Sequence, residues 1–270
     1  MTTQSPKYFY TTDSWDEMAW IDVISVEYES LISAYPFETN FRQISSEGRL
    51  KVLDVGCGSA IFPQYLDRTL AEGIRLTIDL LDVSERSLRN AEMVLEELEH
   101  FRAGRSIKTL IEDIPSALLP AEPAYDVIWA IHSLATVDVE QMPDVFEHLL
   151  RLLSPGGHLF IYQLTADSAY QTLHQVYRER VSNGVPRFME FEDTKRILES
   201  FSVEYEVIEL SFEHELPQDR PDLVENYLRK CVLDESVDTE RVFGDLLPRF
   251  ESGGLYRIPQ FVNFISISRP

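Results

Sequence analysis

The sequence predicts an α/β fold: a doubly wound, mostly parallel sheet of seven strands with an antiparallel last strand and helical cap insertions. Three observations predict it. Between residues 50 and 165, short apolar runs alternate with segments of helical periodicity, the pattern of a parallel sheet covered on both faces. The first run, LKVLDV at 50–55, passes straight into the glycine turn GCGSA, a junction of the kind that brings backbone N–H groups to a ligand. The final third contains two longer strand-like runs, VEYEVIELSFEHEL and QFVNFISIS, which are expected to pair antiparallel.

Taken in order, residues 15–35 place Trp15, Met18, Ile21, Ile24 and Leu31 near helical spacing until Pro36 stops the run, so a helical cap over about 1–45 precedes the sheet. After the first strand, Pro63 suits the opening turn of a helix. LTIDLLDV at 76–83 is a second buried strand, and Ser84 caps the helix that follows. SIKTLIED (106–113), YDVIWAIH (125–132) and GGHLFIYQL (156–164) supply three more strands, with a helix near 140–153 ahead of Pro155-Gly156-Gly157. Helices are expected at 168–182 and 191–201, and an insertion at 217–259, helical over 220–250, precedes the last strand. With 270 residues, 44% of them hydrophobic, the chain is read as one domain carrying a cofactor-binding core at 50–165.

Composition excludes several partners. A formal net charge of −22 opposes binding to a phosphate backbone, so nucleic acid is not expected. No segment approaches the ~20 apolar residues of a membrane span, and the N-terminus lacks a basic region followed by an apolar run. Two cysteines without a CxxC pattern suggest neither disulfides nor zinc, and a reducing cytoplasm fits them. A monomer is the favoured state. The acidic runs EELE and DESVDTE read as solvated surface, and no metal is assigned.

The glycine turn narrows the ligand. Gly56 and Gly58 can take positive φ and admit a ligand close to the backbone. A dinucleotide turn would carry a third glycine where Ile61 stands, and no Gly-Lys-Ser/Thr follows, so neither a pyrophosphate fingerprint nor a Walker loop is present. Asp82, with Val83 after it, ends the second strand, where a carboxylate can accept both hydroxyls of a ribose. Asp113 can accept from an adenine amino group and Ile114 can pack on the purine face. Asp54, buried at a strand end, requires partners in the turn or on a ligand, whereas Cys57 packs as a small hydrophobe.

With these residues in place, the chain resembles the class I S-adenosylmethionine-dependent methyltransferases. VLDVGCGSA, LLDVS, IEDIP, YDVIWAIHSL and LLSPGGHLFIY stand where that family has its five motif regions, over about 50–165. The resemblance implies S-adenosylmethionine as cofactor, its methionine part at Asp54, Gly56 and Gly58, its ribose at Asp82, and its adenine at Asp113 and Ile114. Beyond this core the layout is similar to that of histamine N-methyltransferase and related small-molecule enzymes, although His132-Ser-Leu-Ala135-Thr136 replaces a pair of tyrosines found there.

On the acceptor side, His132 at the end of the fourth strand reads either as a base or ligand facing the methyl group or as a histidine satisfied locally. Trp15 and Asp16, with Glu17 and Trp20, can cover the cofactor and neutralise an amine, or form a solvated face. Tyr170, His174 and Tyr177 recur at helical spacing on a helix expected over the pocket, a spacing that core packing also explains. Tyr256 and Gln260 precede the last strand as further lining candidates. The function expected is methyl transfer to a small, amine-bearing metabolite with His132, Asp16 and Tyr170 at the reacting end. Attack on another carbon of the sulfonium, releasing methylthioadenosine, and a non-catalytic binding role remain as alternatives.

Overall fold

The computed structural model describes residues 18–118, 125–181 and 184–269. Its strands are β1 (Arg49–Val55), β2 (Arg75–Asp82), β3 (Phe101–Lys108), β4 (Tyr125–Ile131), β5 (Leu153–Leu164), β6 (Tyr205–Pro217), β7 (Glu251–Ser252) and β8 (Leu255–Ser268). Its helices are α1 (Met18–Ala34), α2 (Phe37–Ile44), α3 (Ile61–Asp67), α4 (Glu85–Glu97), α5 (Ile114–Ala117), α6 (Met142–Leu152), α7 (Ala169–Arg180), α8 (Phe191–Ser200), α9 (Pro221–Val232) and α10 (Thr239–Phe243).

The sheet runs β3-β2-β1-β4-β5-β8-β6, and the two-residue β7 pairs only with β8. β1 to β5 are parallel, and β8 lies antiparallel to both β5 and β6. Two apolar layers cover it. One joins α1 to α4 with Trp129, Phe160 and Phe264; the other packs α6 and α8 on Leu53, Ile128 and Ile161. Strand order reverses direction between β1 and β4, and ligands bind beyond the carboxyl ends of strands at such a switch point.

Two elements differ from expectation. β3 spans Phe101–Lys108, and residues Ile111–Asp113 form a single 3-10 turn. The apolar residues of TLIED therefore wrap over the end of the sheet instead of extending it. The expected helical stretch at 220–250 resolves into α9, α10 and a 3-10 turn at Leu247–Phe250, because Leu233 closes α9 in the left-handed conformation. Among the described residues no helix is long and apolar enough to cross a membrane, and no group of three or more His, Cys, Asp or Glu could hold a metal ion.

Candidate functional site

A cavity of about 220 Å³ opens at the carboxyl ends of β1, β2 and β4. Its floor is the glycine turn. Gly56 has φ +71° and a Cβ added to it would collide with Ser133, so the backbone crossing from β1 to α3 meets the loop after β4 without a side chain between them. Gly56 and Cys57 donate their N–H groups to the Leu81 carbonyl at 2.8 and 3.0 Å, which locks the turn to β2.

Asp82 is the acid best placed for a ligand. Its Oδ2 accepts from the Gly58 N–H at 3.0 Å and its Oδ1 from the Ser84 N–H at 2.8 Å. Both oxygens are thereby oriented. Val83 and Ser87 line the cavity beside it.

Asp54 also lines the cavity and is 4% exposed. Burial, opposed by the Trp129 indole and reinforced by the Asp82 charge, raises its pKa to about 7. In the unfolded chain it ionises near the ordinary value of 3.8. The folded state thus holds the proton more tightly, and stability declines as pH rises through the window from about 4 to 7, above which the penalty is complete. Asp54→Asn is accordingly expected to raise stability at pH 8 by about 2–4 kcal/mol and to leave it nearly unchanged at pH 4. Chemical denaturation of the cofactor-free protein at the two pH values checks this.

Asp113 is exposed and absent from the cavity, and Ile114 is buried in the layer formed by α6 and α8. The 3-10 turn displaces both, and Thr109, Leu110, Ile111 and Glu112 line the cavity instead. The wall nearest Val83 is therefore apolar, with Glu112 as its acid.

At the other end stands His132, directly after β4, with φ +60°. A left-handed histidine is uncommon and such backbone is held in place by its surroundings. Its Nε2 lies 3.0 Å from Glu27 Oε2, and its side chain is 27% exposed to the cavity. Glu27, on α1, is 2% exposed. Its Oε1 lies 2.8 Å from His214 Nε2 on β6, and Tyr162 on β5 donates to its Oε2 at 2.9 Å. Burial alone would raise the Glu27 pKa, but the hydrogen bonds of His132 and His214, and the charge each carries when protonated, outweigh it and hold the carboxyl well below its usual range. Burial and the Glu27 charge push the Tyr162 phenol far up, so it remains a donor. Tyr28 meets the His132 ring edge-on at 5.4 Å and, with Tyr170 and Phe188, completes the aromatic wall.

The other expected acceptor residues sit elsewhere. His174 is buried, stacks on Phe188 at 3.6 Å and has its pKa lowered to about 3 by burial and Arg178, so it supports the wall from behind. Tyr177 donates to Asp234 Oδ2 at 2.8 Å and helps tie α7 to the segment after α9. Tyr256 lies on β8 off the cavity, and Gln260 is buried beneath it. His174, Tyr177 and Gln260 are buried and outside the cavity wall that Tyr170 reaches, whereas Tyr256 is half-buried. Trp15 and Asp16 lie outside the described residues. Glu27, Tyr28 and His214 were not singled out from the sequence, although it carries a signal for Glu27 and His214. Glu27 shares a helical face with Val23, Ile24 and Leu31, and His214 has the inward parity of Leu210 and Leu216, so both are acid or imidazole on an apolar face.

Comparison with known proteins fits this geometry. A family profile described as "Methyltransferase domain" matches residues 30–208. The chain belongs to the class I S-adenosylmethionine-dependent methyltransferases. It is 24% identical over 178 residues to sterol 24-C-methyltransferase of Debaryomyces hansenii, covering 62% of this chain and 44% of that one. To the ubiquinone biosynthesis O-methyltransferase of Proteus mirabilis it is 25% identical, covering 62% of this chain and 64% of that one. The methyltransferase thus spans from under half to just under two thirds of the length of these curated relatives. Among solved structures it shares its fold with a putative methyltransferase from Bacillus halodurans (TM-score 0.56, 15% identity, 87% of this chain and 99% of that one). It also shares it with the plantazolicin methyltransferase BpumL in complex with SAH (TM-score 0.53, 15% identity, 98% and 95%). S-adenosylmethionine is the cofactor of the family, and the residues present fit it: a turn with no room for a Cβ at Gly56, an oriented carboxylate at Asp82 and an apolar wall at Val83, Leu110 and Ile111.

Proposed function

We propose that this methyltransferase acts on nitrogen of a small, amine-bearing acceptor. The observation that carries the reading is the Glu27–His132 pair opening onto the aromatic end of the cavity. In this reading the glycine turn and Asp54 hold the methionine part of the cofactor, Asp82 holds the ribose hydroxyls, and Val83, Leu110 and Ile111 enclose the adenine. When bound, S-adenosylmethionine supplies an already activated methyl group for in-line displacement.

The remaining work falls to the acceptor end. Tyr28, Tyr170 and Phe188 line this end of the cavity, and aromatic rings attract an ammonium ion. An ammonium has no lone pair to attack with, so it must first lose a proton. With Nε2 directed at Glu27, His132 has Nδ1 left to take that proton, and the Glu27 charge stabilises the imidazolium that forms. Holding acceptor and methyl group in line removes much of the remaining barrier.

Incubation with methyl-labelled S-adenosylmethionine and a panel of small amines, alcohols and thiols tests the proposal. Label is expected on amine nitrogen. Label confined to oxygen or sulfur compounds overturns the amine assignment, and methylthioadenosine formed without any acceptor overturns methyl transfer itself.

A further inference from the structure

The end of α9 carries a residue that its backbone does not favour. Leu233 closes the helix at φ +53° and ψ +42°, in the left-handed region where a Cβ crowds the following carbonyl and where helices usually place glycine. The closure itself makes no use of the side chain. The Leu233 N–H reaches the Lys230 carbonyl at 3.2 Å, and the Asp234 N–H reaches the Arg229 carbonyl at 3.2 Å. Glycine would make the same hydrogen bonds without the steric cost.

Core packing does not account for the leucine either. Leu233 is half-buried and belongs to neither apolar layer of the described residues, yet it lines the cavity. Four described residues other than glycine have positive φ: Ala60, His132, Ser202 and Leu233. The two large ones, His132 and Leu233, are the two that line the cavity. Strained backbone of this kind clusters at ligand sites.

The surroundings put Leu233 at the acceptor end. Asp234 accepts from Tyr177 of α7 at 2.8 Å, and the Tyr227 ring of α9 lies 5.9 Å from that of Tyr170, so α9 runs beside the helix that carries Tyr170. Phe188 also lies outside both apolar layers and lines the same cavity. His174 stacks on it at 3.6 Å and, with its pKa lowered to about 3, brings no charge at neutral pH. Lys230, one turn before Leu233, lines the cavity too; a lysine stem packs along apolar surface while its ammonium keeps to water.

We infer that Leu233, together with Phe188, is a specificity-determining residue that takes the apolar body of the acceptor, so that the acceptor is an amine carrying a ring or a chain of several carbons. The amine in this statement rests on the proposed reaction at His132. The apolar contact does not depend on it. A carbon body held between the end of α9 and Phe188 orients a nitrogen that neither residue touches, which is how a largely apolar pocket with few polar groups selects its ligand. Leucine in place of glycine thus gives up stability at the helix end for selection of the acceptor.

The test reads affinity and stability on the same variants. With protein saturated with S-adenosylhomocysteine, NMR titration is expected to show 2-phenylethylamine binding about 10-fold or more tighter than methylamine. Leu233→Gly and Leu233→Asn introduce residues that tolerate left-handed backbone. Both are expected to reduce that ratio by about fivefold or more, with affinities for methylamine and for the cofactor within about twofold of the unaltered protein. Their melting temperatures are expected to stay within about 3 °C of the unaltered protein or to rise above it.

An unchanged ratio in both variants overturns the inference. So does a larger loss of cofactor affinity, which makes Leu233 a cofactor contact, or a larger fall in melting temperature, which makes it a packing residue. Should neither amine bind, the proposed function fails instead, and 2-phenylethanol against methanol carries the same comparison. Absence of a preference for the apolar member in both pairs overturns the inference.

Discussion

Glu27→Gln is expected to lower the turnover of methyl transfer by about 10²- to 10⁴-fold, the range associated with losing a positioned acid–base group. Affinity for S-adenosylmethionine is expected to change by less than about twofold. The substitution keeps the shape of the side chain and removes its charge. Glu27 is 2% exposed and receives contacts from His132, His214 and Tyr162, so an amide would place N–H groups against donors. That mismatch is expected to cost about 1–3 kcal/mol of stability. Turnover with saturating cofactor, calorimetric cofactor affinity and the melting temperature separate the three effects. Unchanged turnover in a folded variant would remove Glu27, and with it His132, from the reaction.

Asp82→Ala is expected to weaken S-adenosylmethionine binding by about 10-fold or more, since hydrogen bonds to an ionised acceptor contribute about 1.5–3 kcal/mol each. The carboxylate also accepts from the Gly58 and Ser84 N–H groups, so part of the loss would come from a loosened turn. Asp82→Asn divides the two contributions. Its remaining carbonyl oxygen can hold one amide, but its NH₂ faces the other as donor against donor. Calorimetry on both variants is the measurement, and unchanged affinity in Asp82→Ala would take the ribose role away from this residue.

The two predictions concern opposite ends of one cavity, and the sequence disclosed them unequally. The cofactor end was legible because its parts are contiguous: LKVLDVGCGSA and LLDVS each contain a strand, its end and the turn beyond it. Its one displaced element was the acid after β3. SIKTLIED reads as an apolar strand, but a 3-10 turn at Ile111–Asp113 rotates Asp113 outward and Glu112 inward. Helix and strand ends are set by local hydrogen bonding that period alone does not fix.

The acceptor end was read less completely. His132 and Tyr170 were found from their strand-end and helix positions and both line the cavity. His174, Tyr177 and Gln260 share the right periodicities yet serve as supports. Periodicity tells which face of an element is buried, and both a pocket wall and the packing behind it are buried.

By itself, then, the sequence determined the class of fold, the order of strand and helix, the glycine turn and the carboxylate at Asp82, all of which follow from apolar periodicity and turn chemistry acting over a few residues. Only the tertiary structure decided that Glu27 of α1 meets His132 after β4, Tyr162 of β5 and His214 of β6. These residues are far apart in the chain, and each taken singly reads as a polar group on an apolar face. A buried carboxylate is tolerated only where donors converge on it, and that convergence is created by the order in which the sheet assembles its strands.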